Sequence, residues 1–493
     1  MNPLRDDQHR RIFADTRRVA RLDGAISHRW HAARKEPQPV VVNDRPWEAA
    51  GIFVYGTVLP EHDRFRLWYQ ARDKLGGNGH VVGYAESGDG LHWEKPDLGL
   101  VDFDGSRANN LTNLRLHLPS VGRAPEGGYW ATGHVWARAS NQQIATDQQE
   151  PGVYRFDSAD GFDWTARSNG LLWSTSPVPD APYGGGSDVQ TLIHDPWRNR
   201  YIAATKFHVP YESKHRRAFA TRTSDNLVDW SNPVMALAPD AADDERAREL
   251  GFEHADFYGV TFHPYPDFIL GFVWVFYMEG TRPDTDWPQR QSNFGWQRHG
   301  HMAEVQTVFS YDGQFWMRPP TRQPLISTGE RGDWDGGNVA TANQPVLIGD
   351  ELFHYYGGGP VHHGATTRTP DADRPPTGVF TSIGVARMKR DRYASYSSSS
   401  GGSLVVTHGE LAGTRLMINA RAPYGSVRCA VLDAAGQEFP GLGLADCVPF
   451  LGDETDGVIS WKDTGLDSIP AGTPVALRFV LEEADLFGYS VEG

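Results

Sequence analysis

Cysteine is nearly absent from this sequence, since only Cys429 and Cys447 occur in 493 residues. A fold stabilised by many disulfides is therefore excluded, and the spacing of the two cysteines leaves open whether they pair. No apolar run approaches the roughly 18 residues of a membrane-spanning helix, so no membrane partner is predicted. The first residues contain neither an apolar stretch nor a small-residue cleavage site, and we therefore expect a soluble, cytoplasmic protein.

Positive charge is also scarce, because 47 Lys and Arg residues face 62 Asp and Glu residues, for a net charge of -15. This balance argues against nucleic acid as a partner. Helical periodicity is limited to one short acidic stretch, residues 240–250. In contrast, 53 Gly, 33 Pro and 12% aromatic residues are typical of many short strands joined by turns. The composition therefore predicts an all-β fold.

An internal repeat with the pattern Ser-x-Asp-Gly-x-x-Trp begins at Ser87, Ser158 and Ser310, and degenerate copies surround positions 225 and 391. Each copy follows an alternating strand pattern, so the Asp-Gly pair predicts a hairpin turn and the Trp begins the next strand. Repeats of this length fit one four-stranded sheet each. Five sheets predict a five-bladed β-propeller over residues 1–393, with a linear solenoid as the alternative. We expect residues 12–22 to close the ring by joining the last blade.

The composition changes at residues 395–403, a Ser/Gly-rich stretch that predicts a domain boundary. Alternating segments with Asp/Gly turns follow it. Residues 394–493 are therefore predicted to form a small C-terminal β-sandwich, with a role in packing or carbohydrate contact.

The acidic residues near the first strand of each blade are the candidate chemical groups, because these strands converge on the axial cavity of a propeller. Glycoside hydrolysis needs such a convergence, with one carboxylic acid to protonate the leaving oxygen and one ionised carboxylate as base or nucleophile. We interpret Asp188 and Asp256 as the essential pair and Glu304 or Asp335 as the proton donor. For each of these residues the alternative is a turn, capping or ion-pair role.

Substrate-binding candidates lie beside these acids, because exposed aromatic faces stack on sugars and polar groups bind hydroxyls. They are Glu48, Trp47, Asn110, Gln190, His254, Tyr258, Trp296, His301 and Asn338. No phosphate-binding loop or nucleophile elbow is present, and His301 has no carboxylate beside it in a metal-ligand pattern. We therefore predict neither a cofactor nor a metal.

Three segments carry a resemblance to a known family: YAESGDGLHWEKPDLGLVDFDGSRANN, FSYDGQFWMRP and PVALRFVLEEADLFGYSV. They are similar to bacterial proteins described as family 32 N-terminal-domain-like glycosidases, and the predicted architecture resembles glycoside hydrolase families 32 and 43. The resemblance implies a five-bladed fold and furanosidic substrates such as fructo- or arabino-oligosaccharides. The WMNDPNG and EC motifs of the invertase-type enzymes are absent, so no catalytic residue is carried over.

The sequence thus predicts a glycoside hydrolase, or a transglycosylase, acting on a small carbohydrate. A non-catalytic carbohydrate-binding propeller is one alternative. A glycoside phosphorylase is another, for which Arg282, Arg290, Arg298 and His301 are candidate phosphate ligands. The oligomeric state stays open, a homo-oligomer included.

Overall fold

The computed structural model describes residues 10–72, 80–135, 150–175, 188–211, 214–278, 302–330, 332–360 and 381–493. The chain divides into two compact units. The propeller unit contains Ala33–Ile348 and Phe353–Arg387, and the second unit contains the residues up to Ala32 together with Gly349–Leu352 and Met388–Gly493.

Short strands begin the described chain. They are β1 (Arg11–Ile12), β2 (Val19–Gly24), β3 (Ser27–Trp30), β4 (Arg34–Lys35) and β5 (Val41–Val42). A 3-10 turn follows at Pro46–Glu48.

Antiparallel sheets then form the five blades of a β-propeller, as the repeat predicts. Blade 1 contains β6 (Ile52–Pro60), β7 (Phe65–Arg72) and β8 (His80–Ser87). Blade 2 contains β9 (His117–Arg123), β10 (Tyr129–Val135), β11 (Gly152–Ser158) and β12 (Thr165–Ser174). Blade 3 contains β13 (Gln190–Asp195), β14 (Arg200–Tyr211), β15 (Lys214–Ser224) and β16 (Val234–Leu237).

Helix α1 (Ala241–Glu249) separates blades 3 and 4 and lies within the acidic stretch identified in the sequence. Blade 4 contains β17 (His254–Pro264), β18 (Ile269–Met278), β19 (Met302–Ser310), β20 (Trp316–Met317) and β21 (Pro324–Ile326). Blade 5 contains β22 (Asn338–Thr341), β23 (Val346–Ile348), β24 (Glu351–Gly359) and β25 (Ser382–Lys389). The all-β prediction and the five-bladed arrangement are thereby confirmed.

The repeated turn motif has the same hydrogen bonds in different blades. In blade 1, Ser87 Oγ accepts the Gly90 N–H at 2.8 Å, and Asp89 Oδ1 accepts the N–H groups of the two residues after Gly90. Gly90 has a φ of 78°, which explains the glycine. In blade 3, Asn226 accepts the equivalent bonds and Leu227 takes the left-handed position with a φ of 58°. The degenerate copy thus keeps the turn with different residues.

The segment that completes the last blade differs from our expectation. Strands β4 and β5 pair with β25 of blade 5. Residues 12–22 do not join that blade, because β2 pairs with β27 (Gly402–Glu410) and Arg11–Ile12 pairs with β32 (Ala484–Glu492). The sequence pattern recognised a strand there but carried no information about its partner.

Side-chain hydrogen bonds join the innermost strands of neighbouring blades around the ring. Each of these strands contains one serine or threonine: Thr57, Ser120, Thr191, Thr261 and Thr341. The bonds are Val121 N–H to Thr57 Oγ1 (2.9 Å), Leu192 N–H to Ser120 Oγ (3.1 Å), Thr191 Oγ1 to the Val260 carbonyl (2.5 Å), Thr261 to Thr341 (2.9 Å) and Asn343 Nδ2 to Thr57 Oγ1 (3.0 Å). All five blades are therefore linked in a closed circle.

The second unit is also built from strands. Its remaining members are β26 (Ala394–Ser398), β27, β28 (Arg415–Leu432), β29 (Cys447–Val448), β30 (Phe450–Trp461), β31 (Pro474–Glu482) and β32, with a 3-10 turn at Leu466–Ser468. The long strand β28 pairs with β30, β31 and β32 and contributes alternate side chains to one apolar core. The β-sandwich description of residues 394–493 stays a prediction.

Cys429 and Cys447 lie in this core as free thiols, and the Cys429 N–H donates to Cys447 Sγ at 3.2 Å. Burial raises the pKa of both thiols. We predict that neither cysteine reacts with a thiol reagent such as DTNB in the native protein and that two thiols react in denaturant. Fewer than two in denaturant would show that the pair is oxidised.

Burial also keeps several propeller histidines neutral. It lowers the pKa of His80 and His354 to about 3 and that of His134 and His263 to about 4. It also holds the pKa of His117 well below its ordinary value. Their pKa values in the unfolded chain are near 6.5, so unfolding takes up protons below that pH and stability falls as the pH decreases. Each histidine contributes a slope of about 1.4 kcal/mol per pH unit between the two pKa values.

We therefore predict that the melting temperature decreases steeply from pH 6.5 to pH 5, a window above the titration of most carboxylates. In the His354→Asn variant, unfolding should take up about one proton fewer, so the melting temperature should decrease less between pH 7.5 and pH 5 than in the unmodified protein. The matched control is His92→Gln, since the His92 side chain is 88% exposed. An unchanged slope in His354→Asn would contradict the explanation.

Candidate functional site

The candidate site lies where the innermost strands of blades 2, 3 and 4 begin. Asp188 lies two residues before the start of β13, and Lys206 on the neighbouring strand β14 donates a hydrogen bond to Asp188 Oδ1 at 2.9 Å. The Lys206 side chain is only 6% exposed, whereas that of Asp188 is 34% exposed. Burial raises the pKa of Asp188, but Lys206, His117 and His134 together outweigh burial and hold the pKa well below its usual range. Asp188 is therefore an ionised carboxylate.

Asp256 on β17 is the second carboxylate of the site and is fully buried. Arg217 Nη1 on β15 donates to Asp256 Oδ2 at 2.8 Å, and His254 Nε2 lies 3.7 Å from Oδ1. Asp256 Oδ1 accepts no hydrogen bond from the described residues. Both Asp188 and Asp256 raise the pKa of Lys206, although burial lowers it by more. Lys206 thus contacts Asp188 and is also within electrostatic range of Asp256.

Tyr258 on β17 lies beside Lys206 in this cluster. A bulge interrupts the pairing of β17 with β18 between Phe257 and Gly259, so Tyr258 is the unpaired residue. Its ring is stacked against Phe276 at a centroid distance of 4.2 Å, and Lys206 Nζ lies 4.2 Å from the ring centroid. The ammonium therefore has both an anionic and an aromatic partner, which limits the cost of its burial.

Blades 1 and 2 contribute histidines and one arginine. The rings of His80 and His117 lie 4.9 Å apart, and Gln190 Nε2 donates to the His117 carbonyl at 3.4 Å. Arg72 ends β7 and donates from Nε to His80 Nδ1 at 3.5 Å. Burial lowers the pKa of Arg72, while Tyr55, Tyr258 and Asp188 oppose this effect. Arg72 therefore lies within electrostatic range of Asp188.

Glu48 belongs to a separate buried network in blade 1. Tyr69 donates to Glu48 Oε1 at 2.5 Å, and Lys95 donates to Oε2 at 2.7 Å. Asn110 donates to the Tyr69 hydroxyl and accepts from Trp47 Nε1 at 2.9 Å. Trp47 is 8% exposed and packs in the blade core. Among these three candidates, Asn110 thus contacts Trp47 directly and is linked to Glu48 through Tyr69.

Glu304 lies in a different network, at the start of β19. Its Oε1 accepts hydrogen bonds from Tyr277 at 2.5 Å and Gln306 at 2.7 Å, and Arg246 of α1 lies 3.6 Å from Oε2. No hydrogen bond or ion pair of Glu304 within the described ranges reaches Asp188 or Asp256.

Asp335 lies in the turn before β22. Its Oδ2 accepts hydrogen bonds from Lys35 at 2.7 Å and Tyr356 at 2.8 Å. Asn338, which begins β22, is fully buried and pairs in the sheet with Gly359. The contacts of Asp335 in the described structure thus stay within blade 5 and its closing strand. Trp296 and His301 lie outside the described residues.

Sequence reasoning selected the acids of this site but missed their cationic partners Lys206 and Arg217, and also the nearby Arg72. A signal for Lys206 was present, because a lysine in the apolar strand segment IAATKF indicates a buried charge that needs a partner. No comparable signal identified Arg217, whose neighbours on β15 include further arginines.

Among the described residues, no group of three or more His, Cys, Asp or Glu side chains is arranged to hold a metal ion. In the same residues, no helix combines the length and apolarity needed to cross a membrane.

Comparison with known proteins finds no matching family model and no matching curated protein. The chain is similar to several solved structures. A glycoside hydrolase is 13% identical, with 72% of this chain and 92% of that chain covered and a TM-score of 0.46. A member of the GH130 family, described as mannoside phosphorylases that include hydrolases of β-1,2 mannosidic linkages in Candida mannan, is 14% identical, with coverages of 73% and 95% and a TM-score of 0.41.

A glycosyl hydrolase from Bacteroides ovatus is 13% identical, with coverages of 73% and 94% and a TM-score of 0.42. With TM-scores below 0.5, these structures assign no activity to this chain. The resemblance to families 32 and 43 stays a prediction.

The Asp188–Lys206 pair yields a stability prediction. Asp188→Asn and Lys206→Met should each lower the free energy of unfolding, and the double variant should lose less than the sum. We expect a coupling of roughly 1–3 kcal/mol, below the full cost of breaking a buried pair because Asp188 is one-third exposed. Denaturant unfolding of the unmodified protein, the two single variants and the double variant gives the free energies of unfolding from which this coupling is calculated. The exposed pair Asp63 and Arg64 is the control and should show no measurable coupling; additive losses at 188 and 206 would contradict the prediction.

Proposed function

We propose that this protein is a glycoside hydrolase, or a transglycosylase with the same chemistry, that acts on furanosidic oligosaccharides such as fructo- or arabino-oligosaccharides. The observation that carries the proposal is that Asp188 accepts a hydrogen bond from Lys206, while Asp256, which pairs with Arg217, is close enough to raise the pKa of the same lysine. Two carboxylates from different blades meet the basic requirement of glycoside hydrolysis. The furanosidic substrate class is supported by the sequence resemblance alone.

The electrostatics suggest a division of roles. Lys206 helps to hold Asp188 in its ionised form. An ionised carboxylate suits the role of base or nucleophile, and it has no proton to donate in the free enzyme. Asp256 keeps Oδ1 without a hydrogen-bond donor in the described part of the chain, so this oxygen is the one that we assign to the substrate. Lys206 reduces the repulsion between the two carboxylates.

The proton donor is the third role that the proposed reaction requires. Glu304 and Asp335 are the sequence candidates, and each has hydrogen bonds within a network of its own. A comparison of substrates tests them, because an aryl glycoside with a good leaving group needs little protonation. Replacement of the true donor should abolish cleavage of the oligosaccharide while much of the activity on the aryl glycoside remains.

A glycoside phosphorylase is the second candidate function. The observation that favours it is the presence of Lys206, Arg217 and Arg72 near the two carboxylates, since phosphate as nucleophile needs cationic ligands. Release of a sugar phosphate that depends on added phosphate distinguishes this reaction from hydrolysis.

We predict that Asp188→Asn and Asp256→Asn each reduce kcat by about 10²–10⁴-fold or more on the substrate found by screening aryl furanosides and oligosaccharides. Both variants should stay folded by circular dichroism, with a lower melting temperature because Lys206 or Arg217 loses its anionic partner.

The matched control is Asp160→Asn in the turn of blade 2. Asn226 occupies the same turn position in blade 3, so this substitution should leave both turnover and folding unchanged. Full activity in both site variants would remove the assignment. Sugar binding without turnover in the unmodified protein would identify a carbohydrate-binding propeller instead.

A further inference from the structure

Arg72 differs from the other two cations of the candidate site because it has no carboxylate partner. Lys206 pairs with Asp188 and Arg217 pairs with Asp256. Within the described ranges, no Asp or Glu oxygen lies within 4.0 Å of the Arg72 guanidinium; its contacts are the long bond to His80 Nδ1 at 3.5 Å and the Phe53 ring, whose centroid lies 5.2 Å from Cζ. Both contacts are uncharged, because His80 is neutral at pH 7.

The position of Arg72 is defined by its backbone. Its N–H donates to the Gly51 carbonyl at 3.1 Å, and its carbonyl accepts the Ala50 N–H at 2.9 Å. Arg72 is also paired with His80 across β7 and β8. Arg72 therefore has an ordered backbone at the strand end, and the residue is not fully buried, so part of its side chain is open to a ligand.

Among the charged side chains that the structure describes at this site, cations outnumber carboxylates. Arg72, Lys206 and Arg217 are the three cations, and Asp188 and Asp256 are the two carboxylates, which gives a difference of +1 within the described residues. The surrounding His80, His117 and His134 are neutral at pH 7, since burial lowers the pKa of each. A local excess of positive charge in a protein of net charge -15 favours the binding of an anion at this point.

We propose that Arg72 binds an oxyanion of the substrate, and that this oxyanion is the carboxylate of an acidic sugar residue. The planar guanidinium forms two parallel hydrogen bonds with a carboxylate. A carboxylate also carries the single negative charge that neutralises the site, whereas phosphate at pH 7 carries more than one. This inference deepens the proposed function by naming the substrate class as a glycan that contains a uronic acid.

Direct binding tests the proposal separately from turnover. Titrations monitored by ligand NMR and thermal shift use glucuronate, galacturonate, the corresponding neutral sugars and inorganic phosphate as probes. We expect at least one hexuronate to bind, and Arg72→Gln to weaken that binding tenfold or more. Arg72→Lys, which keeps the charge but loses the fork geometry, should give an intermediate loss. The neutral sugars should show no dependence on Arg72.

Arg123→Gln is the matched control, because Arg123 ends β9 at the opposite end from His117 and pairs with Glu61. It should bind the hexuronates like the unmodified protein. Binding of phosphate that depends on Arg72, without binding of hexuronates, would assign the oxyanion to free phosphate and overturn the acidic-sugar class. Equal binding of all probes by Arg72→Gln would overturn the oxyanion site. Arg72-dependent binding in a protein without glycosidase activity would reject the proposed function and leave this site intact.

Discussion

The ring of hydroxyl-mediated hydrogen bonds between the innermost strands is the constraint on which the propeller depends. Innermost strands of neighbouring blades converge without a shared sheet, so their backbone groups near the axis need partners from the next blade. Thr57, Ser120, Thr191, Thr261 and Thr341 supply or receive these bonds, and Asn343 completes the circle at Thr57. A short hydroxyl lets the strands approach closely, which sets the distances between side chains at the strand starts.

The candidate site follows from this convergence. Lys206, Arg217 and Asp256 come from β14, β15 and β17, and Asp188 lies two residues before β13. They form two ion pairs in which only the Asp188 side chain has substantial solvent exposure. Buried charges are retained only when they are paired. A site in which one carboxylate oxygen has no hydrogen bond, or one cation has no carboxylate beside it, is suited to bind a ligand. Glu48, Glu304 and Asp335 are also buried acids, but tyrosine and basic side chains saturate them within their own networks.

Local sequence patterns predicted much of the fold. The turn motif is recognisable because Ser87, Asp89 and Gly90 each satisfy a requirement within the turn itself. Pairing partners distant in sequence left no such trace, which is why the blade 5 closing strands β4 and β5 were not distinguished from residues 12–22. For the site, the positions of Asp188 and Asp256 before or within a first strand predicted their convergence, while the contacts of Glu304 and Asp335 depend on tyrosines far along the chain.

The sequence by itself determined the all-β class, the number of blades and the acids at the strand starts, because strand alternation, turn chemistry and repetition are properties of short segments. Only the tertiary structure decided which acids share a cation, which residues close the last blade, and that Arg72 has no carboxylate beside it in the described chain. Those facts depend on which strands become neighbours, and the burial that makes an unpaired charge costly arises only when the blades pack together.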